Sequence, residues 1–312
     1  METKSFDFII TGAGPAGLTA AMYAARNGLL TLTIDSSFAG GQATQIYNLE
    51  NYPGIFPAVN GFDFADTLRK QAESFGAKII QAHPSSVAKE EDGTFTVTTS
   101  KNIYKAPCLL IATGAEHKKA GIKGEDTFKG KGVSYCATCD GPLFKNRHIV
   151  VMGGGDSACS EALYLATLTD KVTVIHRRKT FRAQKTLAEK VLSNKNITVK
   201  FNTEIQEICG DSKVSSVILK DKNGNTQTLE CDAVFIFAGM TAQTELFDFV
   251  KKDEGGWIIT NEDMQTSVKN LLAAGDVRSK HLRQIVTACS DGAVAAVKAG
   301  EIIRSLKNEV YK

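Results

Sequence analysis

Residues 8–17 read Phe-Ile-Ile-Thr-Gly-Ala-Gly-Pro-Ala-Gly. The first three are a short apolar run that predicts a buried parallel strand, and the glycines after them predict a nucleotide-binding turn. The alanine- and leucine-rich stretch 18–26 predicts a helix, which Gly28 caps. Residues 30–34 predict a second strand, ending at Asp35. This stretch is typical of the strand–loop–helix–strand unit of a dinucleotide-binding domain.

The same order of elements recurs 141 positions further along the chain, from Gly12 to Gly153. There, residues 148–152 predict a strand, residues 161–168 a helix and residues 171–175 the next strand. A single glycine-rich loop is weak evidence, but two loops in matching contexts are strong evidence for two dinucleotide sites. The offset pairs Gly12 with Gly153, Gly14 with Gly155, Gly17 with Ala158, and Asp35 with His176.

Each loop has the residues that a bound pyrophosphate requires. The first glycine permits a tight turn, the second lets the backbone approach the phosphates, and the small third residue keeps helix and strand close. The amino end of the following helix offers free amides and the positive end of its dipole. The predicted phosphate-binding residues are Gly12, Gly14, Pro15, Ala16 and Gly17 in the first loop and Gly153, Gly155, Asp156, Ser157 and Ala158 in the second.

The end of the second strand in each unit distinguishes the two ligands. Asp35 is a carboxylate that can accept hydrogen bonds from a ribose 2′-hydroxyl, which suits FAD or NAD and repels a 2′-phosphate. The matching place in the second unit reads His176-Arg177-Arg178, with Arg182 four residues further on. Because guanidinium groups match phosphate oxygens, this site is predicted to prefer NADPH. The alternative is a solvated basic face at a strand end.

Between the two loops lies Cys136-Ala-Thr-Cys139, followed directly by Asp140. A redox pair that cycles between dithiol and disulfide is the leading interpretation, with Asp140 as the acid that moves protons. Half of a zinc site is a second interpretation, with His148 and Cys159 as further ligands. A pair of inert structural thiols is a third. Both alternatives are weaker, because zinc ligation would compete with the nucleotide fold and inert thiols need no adjacent acid. No metal is expected.

The composition indicates an ordinary globular protein of two domains. The chain has 312 residues, a net charge of +3 and seven cysteines. This charge is too small to predict binding to nucleic acid or a membrane surface, and the scattered cysteines favour reduced thiols. No signal, transit or transmembrane segment is visible, so we expect a cytoplasmic protein. Core packing is predicted for the cysteines outside the motif, Cys108, Cys159, Cys209, Cys231 and Cys289.

The pattern of the first unit returns near the carboxyl end. Residues 271–277 predict a strand that closes on a glycine and Asp276, and residues 284–306 predict a helix. Asp276 could bind a flavin ribityl chain or cap that helix. We predict an α/β fold with two Rossmann-like domains. An NADPH-binding domain, residues 117–246, carries the Cys-x-x-Cys motif and is inserted into an FAD-binding domain, residues 1–116 and 247–312.

These motifs together resemble a known family. The most specific elements are the dithiol with its acid, the loop at Gly153 and the arginines from Arg177 to Arg182. The chain is similar over nearly its full length to the low-molecular-weight thioredoxin reductases of bacteria, which are homodimers that use FAD and NADPH. The resemblance implies further contacts with the cofactors. Those with FAD are Gly41, Gln42, Asn51, Thr113, Gly114, Gly275, Asp276, Arg283 and Gln284, and the one with NADPH is Gly239.

The resemblance implies a route for electrons. In that family NADPH reduces FAD, FAD reduces the disulfide, and the dithiol reduces oxidised thioredoxin. By analogy Cys139 would face the flavin, Cys136 would attack thioredoxin and Asp140 would be the acid–base group. The family rotates its NADPH domain against its FAD domain, with segments like 115–118 and 243–247 as hinges.

Two other functions stay open at this point. One is a flavin-dependent dithiol oxidase, or a reductase of another thioredoxin-like partner, and the other is a flavin-carrying sensor without turnover. Relatives that oxidise dithiols generally lack the arginine cluster of residues 176–182, which favours the reductase. The sequence departs from the family at residues 240–244, which lack the usual proline, and at Cys289, where the family has a glycine nearby.

Overall fold

The structure, a computed structural model, describes residues 1–46 and 49–307, apart from the side chains of His117, Thr138 and Cys139. The chain divides into two compact units. The first unit comprises residues 1–116 and 241–312, and the second comprises residues 117–240.

The described residues form α-helices, 3₁₀ helices and strands in the following order. The α-helices are α1 (Pro15–Arg26), α2 (Gly61–Ser74), α3 (Ala137–Asp140), α4 (Asp156–Leu165), α5 (Lys185–Ser193) and α6 (Ile285–Leu306), and the 3₁₀ helices are Gly41–Gln45, Gly141–Phe144 and Gly275–Val277. The strands are β1 (Glu2–Ser5), β2 (Phe8–Thr11), β3 (Thr31–Asp35), β4 (Lys78–Gln81), β5 (Pro84–Lys89), β6 (Phe95–Thr99), β7 (Asn102–Ala106), β8 (Cys108–Ile111), β9 (Ala115–His117), β10 (Val133–Ser134), β11 (Ile149–Met152), β12 (Val172–His176), β13 (Ile197–Phe201), β14 (Thr203–Gly210), β15 (Val214–Asp221), β16 (Thr226–Glu230), β17 (Ala233–Ile236), β18 (Met240–Ala242) and β19 (Leu271–Ala273).

A five-stranded parallel sheet forms the centre of the first unit, in the order β19-β8-β2-β3-β4. Its middle strand β2 is buried along its whole length, as a parallel strand covered on both faces requires. A second sheet, in the order β1-β7-β6-β5, contributes Phe95 and Val97 to the core on one face. Helices α1 and α6 cover the other face, where alanines such as Ala20 and Ala295 are fully buried. The small side chains let both helices lie close to the sheet.

The second unit repeats this architecture. Its parallel sheet has the order β10-β17-β11-β12-β13, and a three-stranded antiparallel sheet, β14-β15-β16, packs on one face. Helices α4 and α5 cover the other face. Strands β11 and β12 begin 141 positions after β2 and β3, at Ile149 and Val172. The α/β fold class and the internal repeat are therefore confirmed.

Helix α4 begins earlier than the sequence pattern predicts. The prediction placed this helix at residues 161–168, whereas α4 spans Asp156–Leu165. The reason is that the helix begins directly after Gly155, so that loop residues form its first turn, as in α1, which starts at Pro15. Because the first residues of that turn are polar, the apolar periodicity that predicts a helix does not include them.

The second unit ends at Met240, earlier than residue 246, which the sequence predicted as the boundary. Residues 241–246 belong to the first unit by their contacts. Ala242 is 4% exposed within the core that contains Ile9 and Phe95. In addition, the amide of Gln243 donates to the Gly114 carbonyl at 3.0 Å. The connecting strands β9 and β18 form a two-stranded sheet. Among the described helices, none combines the length and apolar character needed to cross a bilayer.

Candidate active site

The first glycine-rich loop connects β2 to α1 with a shape that a side chain at Gly12 would destroy. Gly12 has a φ of +101°, and a Cβ there would lie 2.2 Å from the Ala112 carbonyl oxygen. Pro15 opens α1, where its missing N–H costs nothing. By contrast, a Cβ on Gly14 would have no neighbouring atom within 4 Å. The backbone at Gly14 is therefore open on the side where a Cβ would lie.

Asp35 lies at the end of β3, beside this loop. Its Oδ2 accepts a hydrogen bond from the Ala13 amide at 2.6 Å, and its Oδ1 accepts one from the Ser37 amide at 2.8 Å. Each carboxylate oxygen can accept two hydrogen bonds, so the fixed carboxylate retains acceptor capacity for a ribose hydroxyl. This position and geometry are those that the ribose contact requires.

Other residues predicted to contact FAD are brought together from distant parts of the first unit. Gly41 lies against Gly14, because a Cβ on Gly41 would be 3.1 Å from the Gly14 Cα. The side chains in this set also bond within the unit: Gln42 donates to the Ala115 carbonyl at 3.1 Å, Asn51 donates to Gln284 Oε1 at 2.9 Å, and Thr113 donates to the Gln243 carbonyl at 2.6 Å. Each of these bonds joins two residues that are more than 70 positions apart in the sequence.

Asp276 lies in the short 3₁₀ helix that follows β19. Burial raises the pKa of this carboxyl, against the opposing effect of Lys280. The Nζ of Lys280 is 3.2 Å from Asp276 Oδ1, which is an ion-pair distance. The suggestion that Asp276 caps the next helix is wrong, since Gln284 and Thr287 form a capping box at the start of α6.

The first unit thus has the features that an FAD site needs. The loop leaves its backbone open at Gly14, Asp35 is fixed beside the loop with acceptor capacity to spare, and the Asp276 side chain is 33% exposed. Arg283 stacks on Trp257, with its guanidinium carbon 3.6 Å from the ring centroid, and its buried Nε has no hydrogen-bond partner. We conclude that these residues suit a flavin dinucleotide.

The second loop connects β11 to α4 in the same way. A Cβ on Gly153, whose φ is +150°, would lie 2.6 Å from the Ala158 Cβ. A Cβ on Gly155 would again meet nothing within 4 Å, so the backbone is open at this position too. The carboxylate of Asp156 accepts from the Gln184 amide at 2.7 Å. Asp156 therefore joins the chain that follows β12 to the start of α4.

His176 and the arginines take up different positions in this site. The His176 side chain is buried, and its Nε2 lies 3.1 Å from the Thr180 carbonyl. Its ring packs so closely on the loop that a Cβ on Gly154 would lie 2.3 Å from the imidazole. Burial lowers the pKa of His176, which favours a neutral ring. The residues that remain exposed for a 2′-phosphate are Arg177, Arg178 and Arg182.

The dithiol segment lies in the second unit as well. Cys136 is disulfide-bonded. The cysteines outside the motif have free thiols, as core packing predicts: Cys108, Cys159, Cys231 and Cys289 are buried and Cys209 is half-buried. The side chain of Cys139 lies outside the described residues, so its pairing with Cys136 and its orientation toward a flavin stay predictions.

Helix α3, which contains the dithiol, packs against α4 through small residues. Ala137 is fully buried in the cluster that contains Ala158 and Ala162. Gly141 follows α3, and a Cβ there would lie 2.9 Å from the Leu165 side chain. The segment that carries Cys136 and Asp140 is therefore held against the helix that begins at the second nucleotide loop.

Contacts that the sequence did not predict hold the start of the dithiol segment. The hydroxyl of Ser134 accepts from the Cys136 amide at 3.1 Å and donates to the Cys136 carbonyl at 3.3 Å. The next residue, Tyr135, donates to buried Glu125 at 2.5 Å. The ion pair of Lys280 with Asp276 was also missed, although its four-residue spacing is visible in the sequence. The contact of Tyr135 with Glu125 has no such local signal.

The structure also bears on the zinc interpretation. In the part of the chain that the structure describes, no group of three or more potential metal-binding side chains is assembled. His148 Nε2 is engaged with the Thr173 hydroxyl at 2.9 Å, and Cys159 is fully buried in α4. The disulfide bond of Cys136 favours the redox interpretation, because zinc binds thiolates.

Comparisons with known proteins extend this picture. The profile of the pyridine nucleotide-disulphide oxidoreductase family matches residues 6–292. A thioredoxin reductase of Treponema pallidum (strain Nichols) is 53% identical over 309 residues, covering 99% of this chain and 100% of that protein. The crystal structure of Lactococcus lactis thioredoxin reductase is 37% identical, with a TM-score of 0.93, and covers 96% of this chain and 99% of that one. The crystal structure of T. acidophilum thioredoxin reductase is also 37% identical, with a TM-score of 0.90, and covers 95% of this chain and 98% of that one.

These likenesses agree with the two nucleotide loops and the disulfide-bonded Cys136. They confirm the resemblance that the motifs indicated, and with it an oxidoreductase that uses FAD and NADPH. The chain belongs to the pyridine nucleotide-disulphide oxidoreductase family.

Proposed function

We propose that this protein reduces oxidised thioredoxin with electrons from NADPH. The first unit binds FAD, and the second unit binds NADPH and carries the redox-active cysteines Cys136 and Cys139. The observation that carries this proposal is the disulfide bond of Cys136, on a segment packed against the helix that begins at the second nucleotide loop. The similarity to thioredoxin reductases over the full chain supports the same conclusion.

FAD and NADPH, when bound, would supply the two electrons that convert the disulfide into a dithiol. The Cys136 thiolate then attacks the disulfide of thioredoxin, forming a mixed disulfide and releasing one thioredoxin thiolate. The Cys139 thiolate attacks the Cys136 sulfur, breaks the mixed disulfide and releases the second thioredoxin thiolate. This step restores the bond between Cys136 and Cys139, so electrons and sulfur bonds balance.

Asp140 is proposed to supply protons to the departing thiolates. It ends α3, and its amide donates to the Cys136 carbonyl at 3.2 Å, so its backbone is fixed relative to the attacking cysteine. Ser134 fixes the backbone of Cys136 from the other side. A fixed geometry matters because thiol exchange requires the attacking and leaving sulfurs to be aligned.

The choice of NADPH over NADH is assigned to Arg177, Arg178 and Arg182. All three side chains are exposed at the end of β12 or just beyond it, where a 2′-phosphate would lie. Buried, neutral His176 supports the loop at Gly154 instead of contributing charge. The arginines also favour a reductase over the alternative of a dithiol oxidase that uses oxygen.

The decisive experiment replaces the proposed attacking cysteines. We expect Cys136→Ser and Cys139→Ser each to lower thioredoxin reduction by roughly 1000-fold or more, since no disulfide can re-form. Both variants should still bind FAD and be bleached by NADPH, because the cofactor sites are intact. The measurements are NADPH oxidation with the thioredoxin of the same cell, and the flavin absorbance.

Cys209→Ser is the matched control, since Cys209 has a free, half-buried thiol outside the motif. It should retain full activity. Normal turnover in either motif variant would refute the proposal. Oxygen consumption with a small dithiol, in the absence of NADPH, would instead support the oxidase.

We also propose that the protein is a homodimer in the cytoplasm and that residues 115–118 and 243–247 absorb the backbone change of a domain rotation. The family resemblance supports all three statements.

The dimer has a second line of support in the exposed apolar side chains of Tyr23 in α1 and of Val294 and Val297 in α6. Covering such side chains with another surface is favourable, because it removes apolar area from water.

A further inference from the structure

A cluster of charged side chains joins the loop after β19 to helix α6. The ion cluster consists of Asp276, Arg278, Lys280 and Asp291. Arg278 Nη1 lies 2.7 Å from Asp291 Oδ1, and Lys280 Nζ lies 3.1 Å from Asp291 Oδ2. The same ammonium lies 3.2 Å from Asp276 Oδ1. Asp291 also accepts a hydrogen bond from the Gly275 amide at 3.0 Å. Lys280 is therefore the cation that both carboxylates share.

The ion cluster is largely removed from water. The side chains of Arg278, Lys280 and Asp291 are only 11–12% exposed, and Asp276 is 33% exposed. Two cations balance two anions, so the cluster is neutral as a whole. Removal of Lys280 would leave a carboxylate without compensation, which is costly at a buried position. Arg278 would still neutralise Asp291, so the carboxylate that loses its ion-pair partner would be Asp276.

The surroundings of Asp276 make it dependent on Lys280. Burial acts against its ionised form, and Asp291 acts in the same direction. Lys280 and, more weakly, Arg283 act in favour of the carboxylate. Lys280 lies beside the buried Oδ1 of Asp276, whereas the side chain as a whole is 33% exposed, so its exposed part stays available to a ligand. Lys280 thus compensates the charge of Asp276 from the buried side of the carboxylate.

We propose that Lys280 is a positioning residue for the FAD site: its ammonium, anchored by Asp291 of α6, holds the Asp276 carboxylate in its binding position. The inference rests on the proposed place of Asp276 in that site. It predicts that Lys280 contributes to flavin affinity only through Asp276. A lysine that merely stabilised the fold would change the stability of the flavin-free protein and leave the affinity for FAD unchanged.

The test compares Lys280→Met, Asp276→Asn and the double variant with the wild type. Flavin-free protein is prepared from each, and its melting temperature and its Kd for FAD are measured, the latter by flavin fluorescence. We expect Lys280→Met to weaken FAD binding by about 10-fold or more, which corresponds to about 1.4 kcal/mol. Asp276→Asn should weaken it by a similar factor.

The double variant isolates the coupling between the two residues. It removes one cation and one anion, so Arg278 and Asp291 remain as a neutral pair and the flavin-free protein should regain melting temperature relative to Lys280→Met. If Lys280 acts on the flavin only through Asp276, the Kd of the double variant should be no weaker than that of Asp276→Asn alone. Lys298→Met is the control, since Lys298 lies on α6 in exposed ion pairs with Asp263 and Glu301.

Each result decides between the inference and its alternatives. Additive losses in the double variant, or a Lys280→Met protein that binds FAD within 2-fold of the wild type (about 0.4 kcal/mol), would overturn the role of Lys280. If Asp276→Asn itself binds FAD normally, the proposed place of Asp276 fails, and the inference fails with it. If only Asp276→Asn weakens binding, the site stands and the role of Lys280 alone is refuted.

Discussion

At the scale of single residues, the glycines of one nucleotide loop differ in what a side chain at each position would meet. A Cβ on Gly12 would collide with the Ala112 carbonyl, and one on Gly17 would lie 1.9 Å from the Gly12 carbonyl oxygen. At those two positions, contacts within the protein require glycine. At Gly14 and Gly155 the φ angles are −75° and −97°, which any residue adopts, and an added Cβ would have no neighbouring atom within 4 Å. The space beside these two glycines is left for a ligand.

Alanine at the two open glycines should therefore separate ligand binding from folding. We expect Gly14→Ala to leave the melting temperature of the flavin-free protein within about 2 °C of the wild type, since nothing in the protein is displaced. The added methyl group should raise the Kd for FAD by about 10-fold or more. Gly155→Ala should raise the KM for NADPH in the same way.

Gly17→Ala is the matched control for this prediction. Its methyl group would press on the backbone of the loop, so the flavin-free protein itself should lose stability. Unchanged affinities in both Gly14→Ala and Gly155→Ala would contradict the assignment of these loops.

At the scale of elements, the short strand β10 and the dithiol segment depend on an anchor outside the motif. Glu125 is 2% exposed, and its carboxylate accepts from the amides of Ala120, Gly121 and Ile122 at 2.7–3.1 Å, in addition to the Tyr135 hydroxyl. Burial alone would raise the pKa of Glu125, but these hydrogen bonds together lower it. The ionised carboxylate thus fixes the loop at residues 120–122 to the residue that precedes Cys136.

Glu125→Gln should weaken this anchor. We expect the free energy of unfolding at pH 7 to fall by about 2–4 kcal/mol, because the neutral glutamine cannot form the charge-assisted hydrogen bonds that the buried carboxylate accepts. The folded-state pKa lies below the ordinary value of 4.5, so the stabilisation is present above that pH and is lost as the pH falls through the folded-state value. The difference between variant and wild type in denaturant titrations should therefore shrink below about pH 4.5.

Glu204→Gln is the control for the pH dependence, since Glu204 is exposed on β14. It should change stability by less than about 0.5 kcal/mol at any pH. A constant difference between Glu125→Gln and the wild type across the pH range would show that the charge of Glu125 is unimportant.

At the scale of the whole molecule, the second unit is inserted at a point where the chain enters and leaves close together. In the first unit the Gln243 amide bonds to the Gly114 carbonyl, and in the second the Lys118 amide bonds to the Gly239 carbonyl, at 3.0 and 2.8 Å. Each unit has its own parallel sheet and its own clusters of buried side chains. Each should therefore fold without the other.

A protein in which a short glycine–serine linker replaces residues 117–240 should fold and retain FAD. The reason is that the contacts predicted for the flavin all lie in the first unit. Circular dichroism and flavin absorbance would measure this, and thioredoxin reduction should be absent. A second variant, joining residue 116 to residue 247, should be less stable because it removes buried Ala242 and the Gln243 bond. A colourless, unfolded first variant would contradict the independence of the units.

The sequence alone determined the two nucleotide units, their offset, the α/β fold and the position of the dithiol. Those features depend on local requirements: a glycine where the chain turns tightly, an apolar run where a strand is buried, two cysteines at a fixed spacing. Asp35 and the arginines of residues 177–182 were predictable for the same reason, because they follow a strand end.

Which side chains support these residues became clear only from the folded structure. Neither the burial of His176 beneath Gly154, nor the anchor from Glu125 to Tyr135, nor the bond between Asn51 and Gln284 has a periodic or spaced signal. The same holds for the place of residues 241–246 in the first unit. Each depends on segments far apart in the chain meeting across a sheet, and a burial or a charge compensation of this kind exists only after the chain has folded.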